Sequence, residues 1–446
     1  MFTDRPSGSD VAVPTGSPGG VPPRSDGRHD TSSALHFDLV SFVFFVVILG
    51  GGLPTPLYVI YQKEWGFSSG ILTVIFAVYA AGLLVMLLLF GRLSDRIGRR
   101  QVLLLSLVVA LASTVVFLRA TSVIWLIGGR VLSGMSVGLC VNTASAALTD
   151  YEPTGNRSRA ALVVAVINAV GVGAGPLYAG VLAQYAPDPL TLSFWVLLAL
   201  ILAGFGAVFA IRRKSTARPV SAGPLRQLLR APRVPSSIRP VFFLAAIGAV
   251  IGFALAGIFS GVSPSFLSKD LRILSHAVSG GTVFLMFGCA AIAPFLVRRV
   301  PQGLMLRIGA ACVPVGLASI ATAVWTGLAI PFFVGTILCG TGFGICLRAG
   351  IGLLNRITPA EERANVFSAF YVAAYLGLSV PVVGLGVMAD LIGLPKAAAI
   401  LAVVISLLAV PVLVARGDRW GGPDPAAEQP PRSSDSSGNP PPGTAQ

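Results

Sequence analysis

Twelve long apolar segments follow one another along the chain, separated by short polar stretches. A helix needs about 20 mostly apolar residues to cross the hydrocarbon core of a bilayer. The pattern therefore predicts an all-α polytopic membrane protein with twelve transmembrane helices. The predicted spans are residues 39–61, 69–91, 101–120, 123–148, 160–184, 190–211, 240–262, 279–297, 304–325, 327–354, 364–388 and 394–415.

The polar stretches divide the chain into units. Residues 1–35 and 416–446 are rich in Pro, Gly and Ser, which predicts disordered cytoplasmic tails. The segment 212–239 carries many arginines and several prolines and is predicted to be a cytoplasmic linker. It would join a first six-helix bundle at 36–211 to a second at 240–415.

The two bundles share a sequence pattern. A shift of 206 residues places Gly134 on Gly340, Cys140 on Cys346 and Arg157 on Arg363. One register kept across two spans and a loop indicates a duplicated six-helix unit. Parallel repeats of this kind are one of the ways in which transporters are built.

Composition and charge agree with a membrane protein. Hydrophobic residues make up 54% of the chain, charged residues 11%, and the mean hydropathy is +0.82. Of the 32 Lys and Arg residues, 25 fall on the tails and even-numbered loops and 5 on the opposite loops. This asymmetry predicts that both termini are cytoplasmic, and it explains the net charge of +14 without nucleic-acid binding. The expected location is a bacterial inner (cytoplasmic) membrane.

A charged turn between the second and third spans is the most specific motif. Residues 91–100 read GRLSDRIGRR, which resembles the G-x-L-a-D-r-x-G-r-r signature of the major facilitator superfamily. The resemblance extends over 36–415 and implies the fold of that family, two pseudo-symmetric six-helix bundles. It also implies a conformational latch across the seam between the halves. The residues of this latch are Gly91, Asp95, Arg96, Gly98, Arg99 and Arg100. A plain positive-inside signal would explain the arginines alone.

The fourth span carries Arg130, Gly134 and Gly138, which resemble the R-x-x-x-G motif of the same family. A buried arginine is costly in lipid and needs a partner or a wet cavity. The resemblance implies a role in proton or substrate coupling, whereas the residues alone fit a structural hydrogen-bond hub equally well. The two glycines are spaced for close helix contact.

The fifth span carries Gly171, Gly175, Pro176 and Gly180, with Ala179 where the family usually has glycine. This motif resembles that of antiporters in the superfamily, particularly bacterial drug/proton antiporters. Glycine and proline allow the helix to bend during alternating access. A simple packing kink is the alternative.

Three further polar residues are candidates for coupling or for lining the cavity. Arg348 falls where Asn142 lies in the first half. It is predicted either to bind an anionic or carbonyl-rich substrate group or to snorkel toward the cytoplasmic end. Asp38 is predicted to lie at the cytoplasmic entrance of the first span, as a helix cap or as a proton site.

The chain offers little for other chemistry. Its five cysteines lie in apolar segments and its three histidines are scattered, so we expect no metal site and no cofactor. No phosphate-binding loop or soluble catalytic domain is present, which argues against an enzyme or a membrane sensor.

The function predicted from these observations is secondary active transport of a small molecule by alternating access, with proton-coupled efflux preferred. An uptake symporter or a uniporter for a small neutral or anionic solute is the alternative. Acidic residues are scarce in the spans, which argues against a cationic cargo. The expected partners are a small-molecule substrate, a proton as coupling ion and the lipid bilayer, and we expect a monomer that binds no nucleic acid.

Overall fold

The computed structural model describes residues 27–90, 94, 97–211, 234–269, 271–359 and 361–415. Within these ranges twelve helical segments are long and apolar enough to cross a membrane, which confirms the predicted fold class. The helices are α1 (Gly27–Gly52), α2 (Tyr58–Trp65), α3 (Ser69–Phe90), α4 (Arg99–Leu118), α5 (Val123–Tyr151), α6 (Arg157–Tyr185), α7 (Leu192–Ala210), α8 (Arg239–Gly261), α9 (Ser263–Lys269), α10 (His276–Leu296), α11 (Gln302–Thr326), α12 (Ala329–Ile357), α13 (Arg363–Ile392) and α14 (Leu394–Val414).

The first span differs from the single helix that was predicted. It begins at Gly27, inside the predicted tail, and breaks after Gly52 into a 3-10 turn at Thr55–Leu57, followed by α2. Extending an existing helix into polar sequence needs no new nucleation. The break follows from Pro54, which has no N–H group to continue the hydrogen-bond ladder. Carbonyl groups at the end of α1 therefore lack their helical partners.

Each half has its own apolar core. Phe44, Leu107 and Phe194 are buried in the first core, and Leu255 and Ile345 are buried in the second. Val172 on α6 and Tyr375 on α13 pack against both cores. Large apolar side chains also cover much of the outer surface, as expected where lipid replaces water.

The halves meet where α6 packs on α10 and α3 packs on α13. We call the end of the bundle where α1 begins and α14 ends the terminal end, and the opposite end the distal end. The described contacts of the seam run from the distal end toward the middle of the helices. Gln184 Oε1 accepts a hydrogen bond from the backbone N–H of His276 at 3.0 Å, and Phe76 on α3 lies beside Gly261 at the end of α8.

Glycines allow the helices of the seam to approach closely. A Cβ atom on Gly280 of α10 would collide with the carbonyl oxygen of Pro176 on α6, and one on Gly180 would collide with that of His276. Backbone-to-backbone packing of this kind needs residues without side chains. The structure is therefore tightly closed at its distal end.

Candidate transport site and gates

Arg130 is the most deeply buried charged group of the described chain. Helix α5 places it in the distal third of the bundle, where only 1% of its surface is exposed. Its Nη1 donates a hydrogen bond of 2.7 Å to the carbonyl oxygen of Gly51. That carbonyl lies at the end of α1, beside the break made by Pro54. The interruption of the first span thus supplies the acceptor that a buried arginine needs.

Aromatic rings complete the surroundings of this guanidinium group. The rings of Tyr58, Phe76 and Tyr79 have their centres 5.4, 5.4 and 4.8 Å from its central carbon. Contacts of a cation with aromatic faces at such distances are attractive, and more so away from water. Among the described residues no carboxylate forms an ion pair with Arg130. Carbonyl and ring electrons therefore replace the usual acidic partner.

A second group of rings lies in the second half, on the other side of the seam from Arg130. Phe253 on α8 contacts Tyr375 at 5.3 Å between ring centres and Phe343 at 5.6 Å. Phe343 in turn contacts Phe287 on α10 at 6.0 Å. Because Tyr375 also packs against the first core, this aromatic layer continues from the second half toward Arg130. Together these side chains present rings and one cation between the halves.

The predicted latch is only partly described. Gly91, Asp95 and Arg96 lie outside the described residues. Gly98 adopts φ +96° just before α4, a backbone conformation that favours glycine. Its neighbour Arg99 pairs with Asp150 at the end of α5, with Nε to Oδ2 at 2.6 Å.

Arg100 binds the last turn of α7. Its Nε and Nη2 donate hydrogen bonds of 3.1 Å each to the carbonyls of Val208 and Phe209. Carbonyls at the end of a helix have no helical donor and attract a cation. Both described arginines therefore engage helices of their own half. The latch across the seam stays a prediction.

Glu152 forms a compact hydrogen-bonded turn at the terminal end. Its carboxylate accepts hydrogen bonds from the backbone N–H groups of Thr154 and Asn156 at 2.9 and 2.6 Å and pairs with Arg159 at 3.2 Å. Burial by itself would raise the pKa of this carboxyl group, but the hydrogen bonds and Arg159 outweigh burial and lower the pKa.

Asp390 is the acidic residue whose position sequence reasoning missed. It lies near the end of α13, and its Oδ1 and Oδ2 accept hydrogen bonds from the backbone N–H groups of Ser69 and Gly70 at 3.0 and 2.9 Å. These groups begin α3 in the other half. A carboxylate at a helix N-terminus is stabilised by the free N–H groups and by the helix dipole. The sequence gives no sign of this contact, since its partners are more than three hundred positions away.

The remaining candidates do not converge with Arg130. Asp38 is exposed and lies well inside α1, so its predicted position as a cap at the helix start is wrong. Arg348 is also exposed, and its guanidinium carbon lies 5.7 Å from the ring of Phe295 in the last turn of α10. This placement near the terminal end favours snorkelling. Asn142 is half-buried in α5.

The glycines of the two helical motifs serve close packing. A Cβ on Gly138 would lie 2.6 Å from the carbonyl oxygen of Leu83 on α3, and one on Gly134 would collide with that of Tyr79. On α6, Gly171 and Gly175 approach α1, whereas Pro176 and Gly180 approach α10. The motif of the fifth span thus joins the first half internally and also forms the seam.

The family model described as Major Facilitator Superfamily matches residues 40–381. The chain belongs to the major facilitator superfamily. Its relatives include the multidrug resistance protein MdtL of Klebsiella pneumoniae, 27% identical over 384 residues, which are 80% of this chain and 91% of that protein. MdtL of Salmonella typhimurium is 26% identical over 343 residues, 70% of this chain and 81% of the relative.

Solved structures of this superfamily share the fold. A mutant of the nucleoside transporter NupG matches with a TM-score of 0.67 at 12% identity, covering 85% of this chain and 99% of NupG. A bacterial homologue of the human lysosomal transporter Spinster, inward-facing and unoccupied, also matches with a TM-score of 0.67, at 16% identity over 86% of this chain and 96% of that protein. This chain is therefore a membrane transporter and not an enzyme.

Proposed function

We propose that this transporter exports a small amphiphilic molecule from a bacterial cell in exchange for protons. The relatives named as multidrug resistance proteins support export. The observation that carries the proposal is the distal seam, where the antiporter-like motif of α6 lies directly against α10 through Pro176 and Gly180. A motif placed at a gate controls which side of the membrane the cavity faces.

The terminal end faces the cytoplasm in this proposal, because the tails and the even-numbered loops, which include the linker, carry 25 of the 32 Lys and Arg residues. Closure at the distal end then corresponds to an inward-facing state. The likeness to the inward-facing Spinster homologue supports this assignment. Substrate enters from the cytoplasmic side, and rocking of the halves opens the distal seam to release it.

The cargo binds between Arg130 and Tyr79 on one side and the aromatic layer, which includes Phe253, Phe343 and Tyr375, on the other. These rings favour a planar apolar body, and the single guanidinium favours a neutral or weakly anionic polar group. A cationic cargo would meet no described carboxylate beside Arg130. The cargo class is thus an aromatic amphiphile without positive charge.

Asp390 is our candidate for holding the distal gate closed. In the closed state its carboxylate binds the start of α3, an interaction that requires the charged form for full strength. Loss of this contact favours opening, and return of the carboxylate to Ser69 and Gly70 closes the gate. Because Asp390 lies at the distal end, it controls the gate and does not itself carry the proton across the membrane.

Transport by purified protein in liposomes under an imposed pH gradient tests the proposal. We expect neutral and anionic aromatic dyes to move against protons. Asp390→Asn weakens the contact that closes the distal gate, so it is expected to lower dye movement driven by the pH gradient while retaining dye movement down its own gradient. Dye movement that ignores the gradient in the wild type would contradict antiport.

Uptake is the second candidate, because the structural neighbours include a nucleoside transporter. The two directions differ in living cells. An exporter lowers the steady-state dye content of cells that express it, and a proton-coupled importer raises it. Expression of the Arg130→Gln variant at a matched level is the control for non-specific dye binding.

A further inference from the structure

An apolar cleft opens at the distal end of the second half, away from the central site. It has a volume of about 280 Å³ and lies between α11 and α14, with α8 as its floor. The lining includes Ile258 and Phe259 of α8, Ile320 and Val324 of α11, and Ala402 and Ile405 of α14. Lys396 and Trp325 lie at its rim, both exposed, the latter by 89%.

The corresponding position of the first half is closed. There α1, α4 and α7 enclose a space of only about 20 Å³. Phe194 of α7 fills it, 1% exposed and stacked on Phe117 of α4 with ring centres 4.9 Å apart. Since the halves are repeats of one six-helix unit, the cleft is a departure of the second half from a common plan.

Small side chains help to keep the cleft open. Its lining includes Ala321 on α11 and Ala398, Ala399 and Ala402 on α14. Protein interiors rarely leave such space unfilled, because the atoms lining a void lose their dispersion contacts. An apolar cleft on the lipid-facing surface of a membrane protein is filled by hydrocarbon.

The residues at the rim determine which lipid headgroup is preferred. Lys396 lies in the first turn of α14, at the distal end, and basic residues at this depth attract anionic lipid headgroups. Tryptophan prefers the headgroup level of the membrane, which places Trp325 and therefore the rim at that level. An acyl chain in the cleft would set its own headgroup beside Lys396.

We propose that this cleft is a binding site for an anionic phospholipid from the leaflet at the distal end. One acyl chain occupies the space between α11 and α14, and the phosphate pairs with Lys396. The proposal goes beyond the transport function and stands or falls separately, because its test measures lipid binding.

The test uses the purified full-length protein in phosphatidylcholine nanodiscs that contain a few photoactivatable phosphatidylglycerol molecules, with the reactive group on the acyl chain. After irradiation, labelled peptides are mapped by mass spectrometry. We expect labels on the distal parts of α11 and α14. A phosphatidylcholine probe of the same chain length is expected to label them several times less.

Variants separate the headgroup from the chain. Lys396→Gln is expected to lower phosphatidylglycerol labelling about fivefold, the factor of one basic residue near an anionic surface. Lys63→Gln, which removes another exposed lysine at the distal end, is the matched control and should leave labelling unchanged. Ala402→Phe fills the cleft and should abolish labelling with both probes.

Three results would overturn the proposal. They are equal labelling by the two probes, labelling that survives Ala402→Phe in folded protein, and labelling that a neutral dye substrate displaces regardless of headgroup, which indicates a substrate path. Size-exclusion chromatography shows whether Ala402→Phe folds. If it does not, Ala399→Leu at the exposed rim of the cleft takes its place, and Lys396→Gln decides the headgroup question alone.

Discussion

At the distal end the two halves meet through backbone atoms, whereas at the terminal end Arg99 and Arg100 bind within the first half. Gly280 and Pro176 leave no room for a side chain at the distal seam. Arg99 and Arg100 instead hold the ends of α5 and α7. The closed gate thus depends on shape, and the terminal charges stabilise one half while leaving the halves free to separate there.

Substitutions at the seam are expected to have larger effects than substitutions of the charged residues, because the closely packed backbones leave no space for an added side chain. A side chain at a backbone contact forces the helices apart, and overpacking costs about 1–3 kcal/mol. Exposed or partly exposed ion pairs contribute about 0–1 kcal/mol. Substitutions at the two ends should therefore differ in the size of their effects on transport, gate opening and stability.

The largest effect is expected for Gly280→Leu, which places a side chain against the carbonyl of Pro176. Transport should fall by about tenfold or more, and the distal gate should be held open. The measurement is labelling of a cysteine introduced at the distal end by a membrane-impermeant reagent. Gly281→Ala is the matched control, because the nearest atom to its added Cβ is 4.0 Å away. If both variants behave as wild type, the seam is not closed by backbone contact.

The next effect concerns Arg130→Gln, which leaves the carbonyl of Gly51 and three rings without their cation. Loss of a hydrogen bond to a buried charge costs about 1–3 kcal/mol, so we expect a lower melting temperature and a strong loss of transport. Arg348→Gln serves as control, since Arg348 is exposed and should tolerate the change. Equal losses in the two variants would contradict the special place of Arg130.

A moderate effect is expected for Asp390→Asn. The amide keeps a hydrogen-bond acceptor but loses the charge that interacts with the start of α3, worth about 0.3–1 kcal/mol. The population open at the distal end should rise by up to about fivefold, measured as distances between spin labels across the seam. Spin-label distances in the variant equal to those of the wild type would show that Asp390 does not hold the gate closed.

The smallest effect concerns Glu152 at the terminal end. Its pKa is lower in the folded protein, so its contribution to stability is present above the unfolded pKa and is lost as pH falls through the folded pKa. Stability should thus be unchanged between neutral pH and about pH 5, and decline in stronger acid. Glu152→Gln should show a weaker acid dependence in thermal unfolding, with Glu361→Gln as the exposed control. A decline that already begins near pH 6 would point to another group.

Much of the fold was predictable because each membrane helix is encoded by one continuous apolar segment. The apolar runs predicted twelve spans, and the described part of the chain contains twelve. The motif containing Arg130 was identifiable from its residues, but its partner was not. The carbonyl of Gly51 is available to Arg130 because the helix ends nearby at Pro54. This could be recognised only from the structure.

The parts of the site that were missed depend on distant pairs. Asp390 and Ser69 are 321 positions apart, and no periodicity connects them. The position of Asp38 was predicted wrongly because hydropathy marks only the part of a helix that lies in lipid. The polar first turns of α1, which begin at Gly27, give no such signal. The cleft between α11 and α14 became visible only once the two halves were compared in space.

The sequence by itself determined the solvent, the number of spans and the family, because bilayer thickness and local motifs act over tens of residues. Only the tertiary structure decided which residues meet at the seam, which carbonyl holds Arg130 and where the second half leaves space beside Lys396. These features arise from packing between helices that are far apart in the chain, where shape and not composition determines the contact.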